Sequence, residues 1–173
     1  MKSNIILIGM PAAGKSTVGV LLAKSLGYRF LDTDILIQEK TGRLLHETIA
    51  SEGLDRFLEI ESEVLGGLDI KKTVIATGGS AVYGEAAMKH LKSIGHIIYL
   101  KIGFQELTER LGDYVHRGVV LRPGMTLCDL FQERTALYEQ YADAIVDEDS
   151  LATGLSETTE EAILLARKLL CIA

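Results

Sequence analysis

Residues Gly9-Met10-Pro11-Ala12-Ala13-Gly14-Lys15-Ser16 fill every fixed position of G-x-x-x-x-G-K-[ST], the phosphate-binding P-loop. The setting gives the pattern its weight. Asn4-Ile5-Ile6-Leu7-Ile8 is a short apolar run that reads as a buried strand, and Thr17 to Lys24 reads as a helix. Strand, glycine loop and helix in that order aim backbone N–H groups and the positive end of a helix dipole into one concavity. Such a chain folds as α/β and binds a nucleoside triphosphate, read here as ATP. Gly9, Ala12, Ala13, Gly14, Lys15, Ser16 and Thr17 are the expected binding residues. Lys15 reaches the β- and γ-phosphates, and Ser16 places its hydroxyl on Mg²⁺.

The 173 residues suffice for one domain with a proper core, and 47% of them are hydrophobic. A net charge of −6 argues against a general nucleic-acid binder and for a small-molecule partner. No apolar run approaches the ~18 residues of a membrane span. The N-terminal apolar stretch stops at Gly9-Met10-Pro11 with only Lys2 before it, which does not read as a secretory signal. Cys128 and Cys171 make no disulfide framework and read as reduced structural thiols. A cytoplasmic monomer is expected.

Apolar strands alternate with helical patterns, which argues for a parallel sheet covered on both faces. Further strands are predicted at 28–31, 73–76, 96–100 and 144–146. Helices are predicted at 35–40, 85–93, 104–111, 127–141 and 157–170, and over most of 45–68 with a break at Gly53. Gly95 is expected to close a helix. Residues 112–124 hold three glycines, His116, Arg117 and Arg122-Pro123 with no clean period, and read as a mobile functional loop.

A P-loop alone does not separate GTPases, motor ATPases and small kinases. There is no Asn-Lys-x-Asp guanine reader and no D-x-x-G switch. The third strand ends in Thr77-Gly78-Gly79 where an AAA-type ATPase would need Asp-Glu. A small kinase remains. Over nearly its whole length the chain resembles shikimate kinases. The likeness rests on the P-loop, Asp32-x-Asp34, Ala76-Thr77-Gly78-Gly79, Arg122-Pro123 and Glu133-Arg134-x-x-Leu137-Tyr138. The resemblance implies a three-layer α/β/α fold with a five-stranded parallel sheet in the order 2-3-1-4-5. It implies one kinase domain over 1–173, with a lid at about 112–125 and an acceptor-binding region at about 32–60.

Roles follow for the matching residues. Asp32, at the C-terminal end of a strand, can hold a water on Mg²⁺ opposite Ser16. Asp34 can accept the proton of the attacking hydroxyl, or both acids can simply cap the next helix. Gly78 and Gly79 let a ring lie against backbone N–H groups, or merely turn the chain. Arg134 offers a planar fork for the acceptor's carboxylate. Arg122 is expected to swing onto the β- and γ-phosphates. The resemblance gives Arg110 to adenine and puts Asp147-Glu148-Asp149 beside it.

The chain departs from the family on the acceptor side. The family pattern Gly-Glu-x-x-Phe-Arg-x-x-Glu reads here Gly53-Leu54-Asp55-Arg56-Phe57-Leu58-Glu59-Ile60-Glu61. Leu58 replaces the arginine that grips the substrate carboxylate in shikimate kinases. Arg56 lies about 200° around the helix and cannot stand in. Ser80 replaces a glycine, and Gly124-Met125 follow Pro123 where two leucines are usual. Shikimate therefore leads as acceptor. Another small hydroxylated metabolite, or an ATP-binding switch that transfers nothing, stays open.

Overall fold

The computed structural model describes residues 2–112, 119, 121–149 and 154–172. Half of the predicted lid, residues 113–118 and 120, including His116 and Arg117, lies outside the described residues.

Five parallel strands form one sheet: β1 (Asn4–Ile8), β2 (Arg29–Asp32), β3 (Thr73–Ala76), β4 (Gly95–Lys101) and β5 (Ala144–Asp147). Their order is β2-β3-β1-β4-β5, as the resemblance implied. β1 is buried along its whole length, and Ile6 sits in register between Ile75 and Ile97. A strand covered on both faces needs a continuous apolar run, and that is what Asn4-Ile5-Ile6-Leu7-Ile8 supplies. Its polar first residue is also buried. The Asn4 amide donates to the Ile70 and Ile94 carbonyls at 2.8 and 3.0 Å and accepts from the Thr73 amide at 3.1 Å. It thereby ties together the starts of three strands.

Among the described residues eight α-helices cover the sheet: α1 (Lys15–Leu26), α2 (Thr33–Thr41), α3 (Leu45–Glu52), α4 (Leu54–Gly66), α5 (Glu85–Ile94), α6 (Phe104–Leu111), α7 (Leu127–Tyr141) and α8 (Gly154–Leu170). The break at Gly53 falls where predicted, at φ +86°. Gly95 does not close a helix; it opens β4 in extended backbone. A Cβ there would lie 2.6 Å from the Asn4 carbonyl oxygen, so the glycine serves the close approach of β1 and β4. Cys128 and Cys171 are free and exposed, so neither packs as a structural thiol.

The main core lies on both faces of the sheet. A smaller cluster of Ile37, Ile49, Phe57 and Ile60 joins α2, α3 and α4, with Leu54 and Leu58 packed against it. This satellite core holds α2, α3 and α4 together as a unit. Among the described residues no helix is long and apolar enough to cross a membrane.

Candidate active site

The strand order reverses at β1, and a ligand crevice is expected outside its C-terminal end. A cavity of about 520 Å³ lies there, bounded by the P-loop, Asp34, Glu61, Gly78, Gly79 and Arg134.

The loop's shape is set by backbone constraint. Gly9 has φ +146°, and a Cβ on it would stand 2.5 Å from the Leu100 carbonyl oxygen. Ala12 and Gly14 take left-handed φ values of +65° and +75°. α1 starts at Lys15 rather than Thr17 and has no side-chain cap. Its first amides, which no helix carbonyl can reach, are left for a ligand. Pro11, Ala12, Gly14, Lys15, Ser16 and Thr17 line the cavity. Gly9 and Ala13 are not among its lining residues.

Lys15 is 8% exposed, and its Nζ donates to the Gly9 and Met10 carbonyls at 2.8 Å each. Burial pulls its pKa down to about 8, against an upward pull from Asp34. Ser16 Oγ donates to Asp32 Oδ2 at 2.6 Å. Two hard oxygen donors beside a phosphate cradle fit Mg²⁺, which takes few protein ligands. Asp32 also caps α2 by accepting the Asp34 amide at 3.0 Å. Asp32 thus caps α2 through Oδ1 while its Oδ2 stays beside the Ser16 hydroxyl. The Asp34 side chain is spared from capping and lines the cavity. Burial, with Asp32 beside it, pushes the Asp34 pKa up to about 6.

α7 supplies the opposite wall. Thr126 and Asp129 form its capping box, with Oγ1 accepting at 3.1 Å and Oδ2 accepting at 2.9 Å. The box fixes a buried stripe of Leu130, Arg134 and Tyr138 at helical spacing. Tyr138 Oη donates to the Gly79 carbonyl at 2.6 Å and pins the glycine turn to α7. Arg134, 5% exposed, donates from Nε to Tyr83 Oη at 3.3 Å. None of the described carboxylates comes within ion-pair distance of it. A buried guanidinium so placed needs an anion, and the cavity is where one can enter.

Sequence reasoning kept Glu61 only as a pattern match and gave it no task. It is 2% exposed and accepts the Ser80 hydroxyl at 2.6 Å, while its Oε1 finds no partner among the described residues. Burial raises its pKa to about 7, partly countered by the Ser80 bond. Glu61 and Asp34 converge on Gly78, where any Cβ would strike both carboxylates. A buried acid with a raised pKa binds its proton more tightly folded than unfolded. Stability should therefore fall as pH rises from about 4.5 to about 7, and the cost stays in full above that. Glu61→Gln should be more stable than the unaltered protein by on the order of 2 kcal/mol at pH 8, with the gap closing toward pH 4.5. Thermal melts at several pH values check this; a gap independent of pH would show that ionisation is not what burial opposes.

Other expected residues are placed differently. The Gly78 amide is not open to a ligand, because it donates to Thr33 Oγ1 at 3.3 Å. Arg122 does not line the P-loop cavity; its guanidinium lies 5.4 Å from the Tyr83 ring centroid, near Glu133 at 3.8 Å. Arg110 is held by Glu106 at 2.6 Å and Glu148 at 2.8 Å. That links it to the segment expected beside adenine, away from the cavity lining. Arg56 turns outward to Glu52, Glu59 and Glu63, so it does not replace the arginine lost at Leu58. His46, His90 and His96 lie outside the cavity.

Comparison with known proteins agrees with this geometry. The family model for shikimate kinase matches residues 11–164. Shikimate kinase 2 of Yersinia pseudotuberculosis is 36% identical over 154 residues, covering 85% of this chain and 87% of that protein. The shikimate kinase of Acinetobacter baumannii, solved in complex with shikimate, superposes with a TM-score of 0.84 at 32% identity, over 99% of this chain and 94% of that one. The Aquifex aeolicus shikimate kinase gives 0.80 at 35% identity, over 95% and 96%.

Proposed function

The chain belongs to the shikimate kinase family, and from that premise we propose that it transfers the γ-phosphoryl group of ATP to a ring hydroxyl of shikimate. One observation carries the reading. Lys15 of the P-loop, the buried carboxyl of Asp34 and the guanidinium of Arg134, which has no ion pair among the described residues, all face a single cavity. They match a phosphate donor, an attacking hydroxyl and a carboxylate anchor in that order.

The loop amides and Lys15 hold the β- and γ-phosphates. Ser16 would ligate Mg²⁺ directly and Asp32 through a water. When bound, the ion neutralises charge on the phosphates. Arg134 takes the acceptor's carboxylate as a fork, and the Gly78-Gly79 backbone leaves room for the ring. Asp34 accepts the hydrogen bond of the attacking hydroxyl. The hydroxyl oxygen forms its bond to the γ-phosphorus as the β–γ bridging bond breaks. That electron pair leaves on the β-phosphate, and the hydroxyl proton passes to Asp34. The loose transition state asks little base strength, so a carboxylate with a pKa of about 6 suffices.

Coupled ADP release with Mg²⁺-ATP and shikimate tests the proposal, run beside hydroxy acids, polyols and nucleoside monophosphates. Saturable turnover on shikimate at sub-millimolar concentration is expected. Turnover on another panel member with none on shikimate would reassign the acceptor, and silence across the panel would favour an ATP-binding switch.

A further inference from the structure

Leu58 stands where a second guanidinium is usual, and among the described residues Lys15 is the only other cation that lines the cavity with Arg134. Affinity for the acceptor's carboxylate therefore depends on how Arg134 is presented. A carboxylate can meet a guanidinium side-on through Nε and Nη2, or end-on through Nη1 and Nη2. Tyr83, the last residue of a single 3₁₀ turn at Ala81–Tyr83 between β3 and α5, bears on that choice. Its Oη accepts from Arg134 Nε at 3.3 Å, and the guanidinium carbon lies 5.3 Å from its ring centroid. The Nε donor is thus spent on a residue that does not line the cavity. Nη1 lies over the glycine turn that does line it, 3.1 Å from where a Cβ on Gly79 would stand. Tyr138, four residues further along α7, pins the same turn through the Gly79 carbonyl. The segment 79–83 thereby frames the guanidinium on two sides. Burial, and then Glu133 beside it, raise the Tyr83 pKa against the pull of Arg134. The phenol keeps its proton at neutral pH and offers Nε a lone pair. An arginine without a fixed partner gives up rotamer freedom when it grips a ligand, and one already held does not.

We propose that Tyr83 is a positioning residue for the acceptor: its hydroxyl and ring hold Arg134 so that the guanidinium meets the acceptor's carboxylate end-on. With leucine at position 58, the single remaining fork is fixed before the acceptor arrives. The assignment of the carboxylate rests on the reading of the chain as a shikimate kinase. Arg122, 5.4 Å from the same ring, keeps the place on the nucleotide phosphates that the resemblance implies.

Steady-state kinetics on the unaltered protein and on Tyr83→Phe, with shikimate and its carboxamide as acceptors, test the assignment. Tyr83→Phe should raise the KM for shikimate by about tenfold. Tyr83→Leu, which also removes the ring, should add a further factor of about three or more. The kcat and the KM for ATP should hold within about twofold, and the KM for the carboxamide within about threefold. In an Arg134→Gln background Tyr83→Phe should change kcat/KM for shikimate by less than about twofold, because nothing is left to position. A loss equal for shikimate and the carboxamide, or one that persists in full without Arg134, would overturn the assignment. A loss that falls on the KM for ATP would overturn it and give Tyr83 to Arg122. Hydrogen exchange in the free protein tests the hold on Arg134 without any acceptor. The Nε–H of Arg134 should be protected, and Tyr83→Phe should speed its exchange by at least about tenfold; an unchanged rate would overturn the hold. Absence of shikimate turnover in the unaltered protein, with that protection present, would instead sink the parent reading and the carboxylate role with it. Circular dichroism melts confirm that each variant folds.

Discussion

Asp34→Asn should remove phosphoryl transfer and leave ATP binding in place. The substitution preserves shape, and the backbone N–H that Asp32 accepts at 3.0 Å is untouched, so α2 keeps its cap. The ability to take a proton is lost. Burial raises the Asp34 pKa only to about 6, so the side chain is mostly ionised at neutral pH and ready to accept. An asparagine can still orient the hydroxyl, but the proton then has no acceptor in the cavity at the right place. A fall in kcat of about 10²- to 10⁴-fold is expected, the usual worth of a positioned acid or base. ATP affinity by calorimetry should stay within about twofold, because the loop amides and Lys15 carry it. Folding should not suffer, since the variant removes a charge that burial opposes. Near-normal ADP release in Asp34→Asn would remove the residue from the chemistry. Loss of ATP binding would show instead that its charge is needed to hold Lys15 in place.

What was legible in the sequence follows from range. The P-loop, the strands and their order could be read because each depends on residues close in the chain, or on a family pattern that orders the whole. The continuous apolar run of β1, the break at Gly53 and the capping of α2 by Asp32 are of that kind. Glu61 was hidden for a different reason. On its helix it reads as one more charged residue beside Glu59 and Glu63. Only the turn at Ser80, brought in by β3, shows that it is buried and facing Asp34. The substitution at Ser80 was the available signal, because a hydroxyl in place of a glycine needs a partner. Tyr83 and Arg134 were missed as a unit for the same reason. Nothing local links an arginine on α7 to a tyrosine in a short turn before α5. Gly95 misled because a glycine after a helical pattern normally ends it, whereas here the crowding comes from Asn4 on a strand far away in sequence.

The same contrast between local and distant constraint makes Gly9→Ala the most damaging small substitution in the nucleotide site. Gly9 and Gly14 are the two fixed glycines of the loop, and both have positive φ. Their surroundings differ. A methyl on Gly14, at φ +75°, would meet only Val18 Cγ2 at 3.9 Å, an ordinary contact. Its cost is the left-handed backbone alone, about 1 kcal/mol. A methyl on Gly9, at φ +146°, would stand 2.5 Å from the Leu100 carbonyl oxygen, which is fixed in the sheet. Neither backbone can retreat, because β1 and β4 are paired in register from Asn4–Gly95 to Ile8–Tyr99. Relief must come from prising the end of β1 off β4, and this moves the loop that β1 delivers. A loss of about 3 kcal/mol or more is expected, or roughly 6–12 °C in Tm for a chain of this length. ATP affinity should fall at least about tenfold as the amides lose their common focus. Gly14→Ala should lose far less stability. Thermal melts and ATP titrations on the pair check this. If Gly9→Ala melts no lower than Gly14→Ala, the loop is not held by the β1–β4 contact and takes its shape from its own residues.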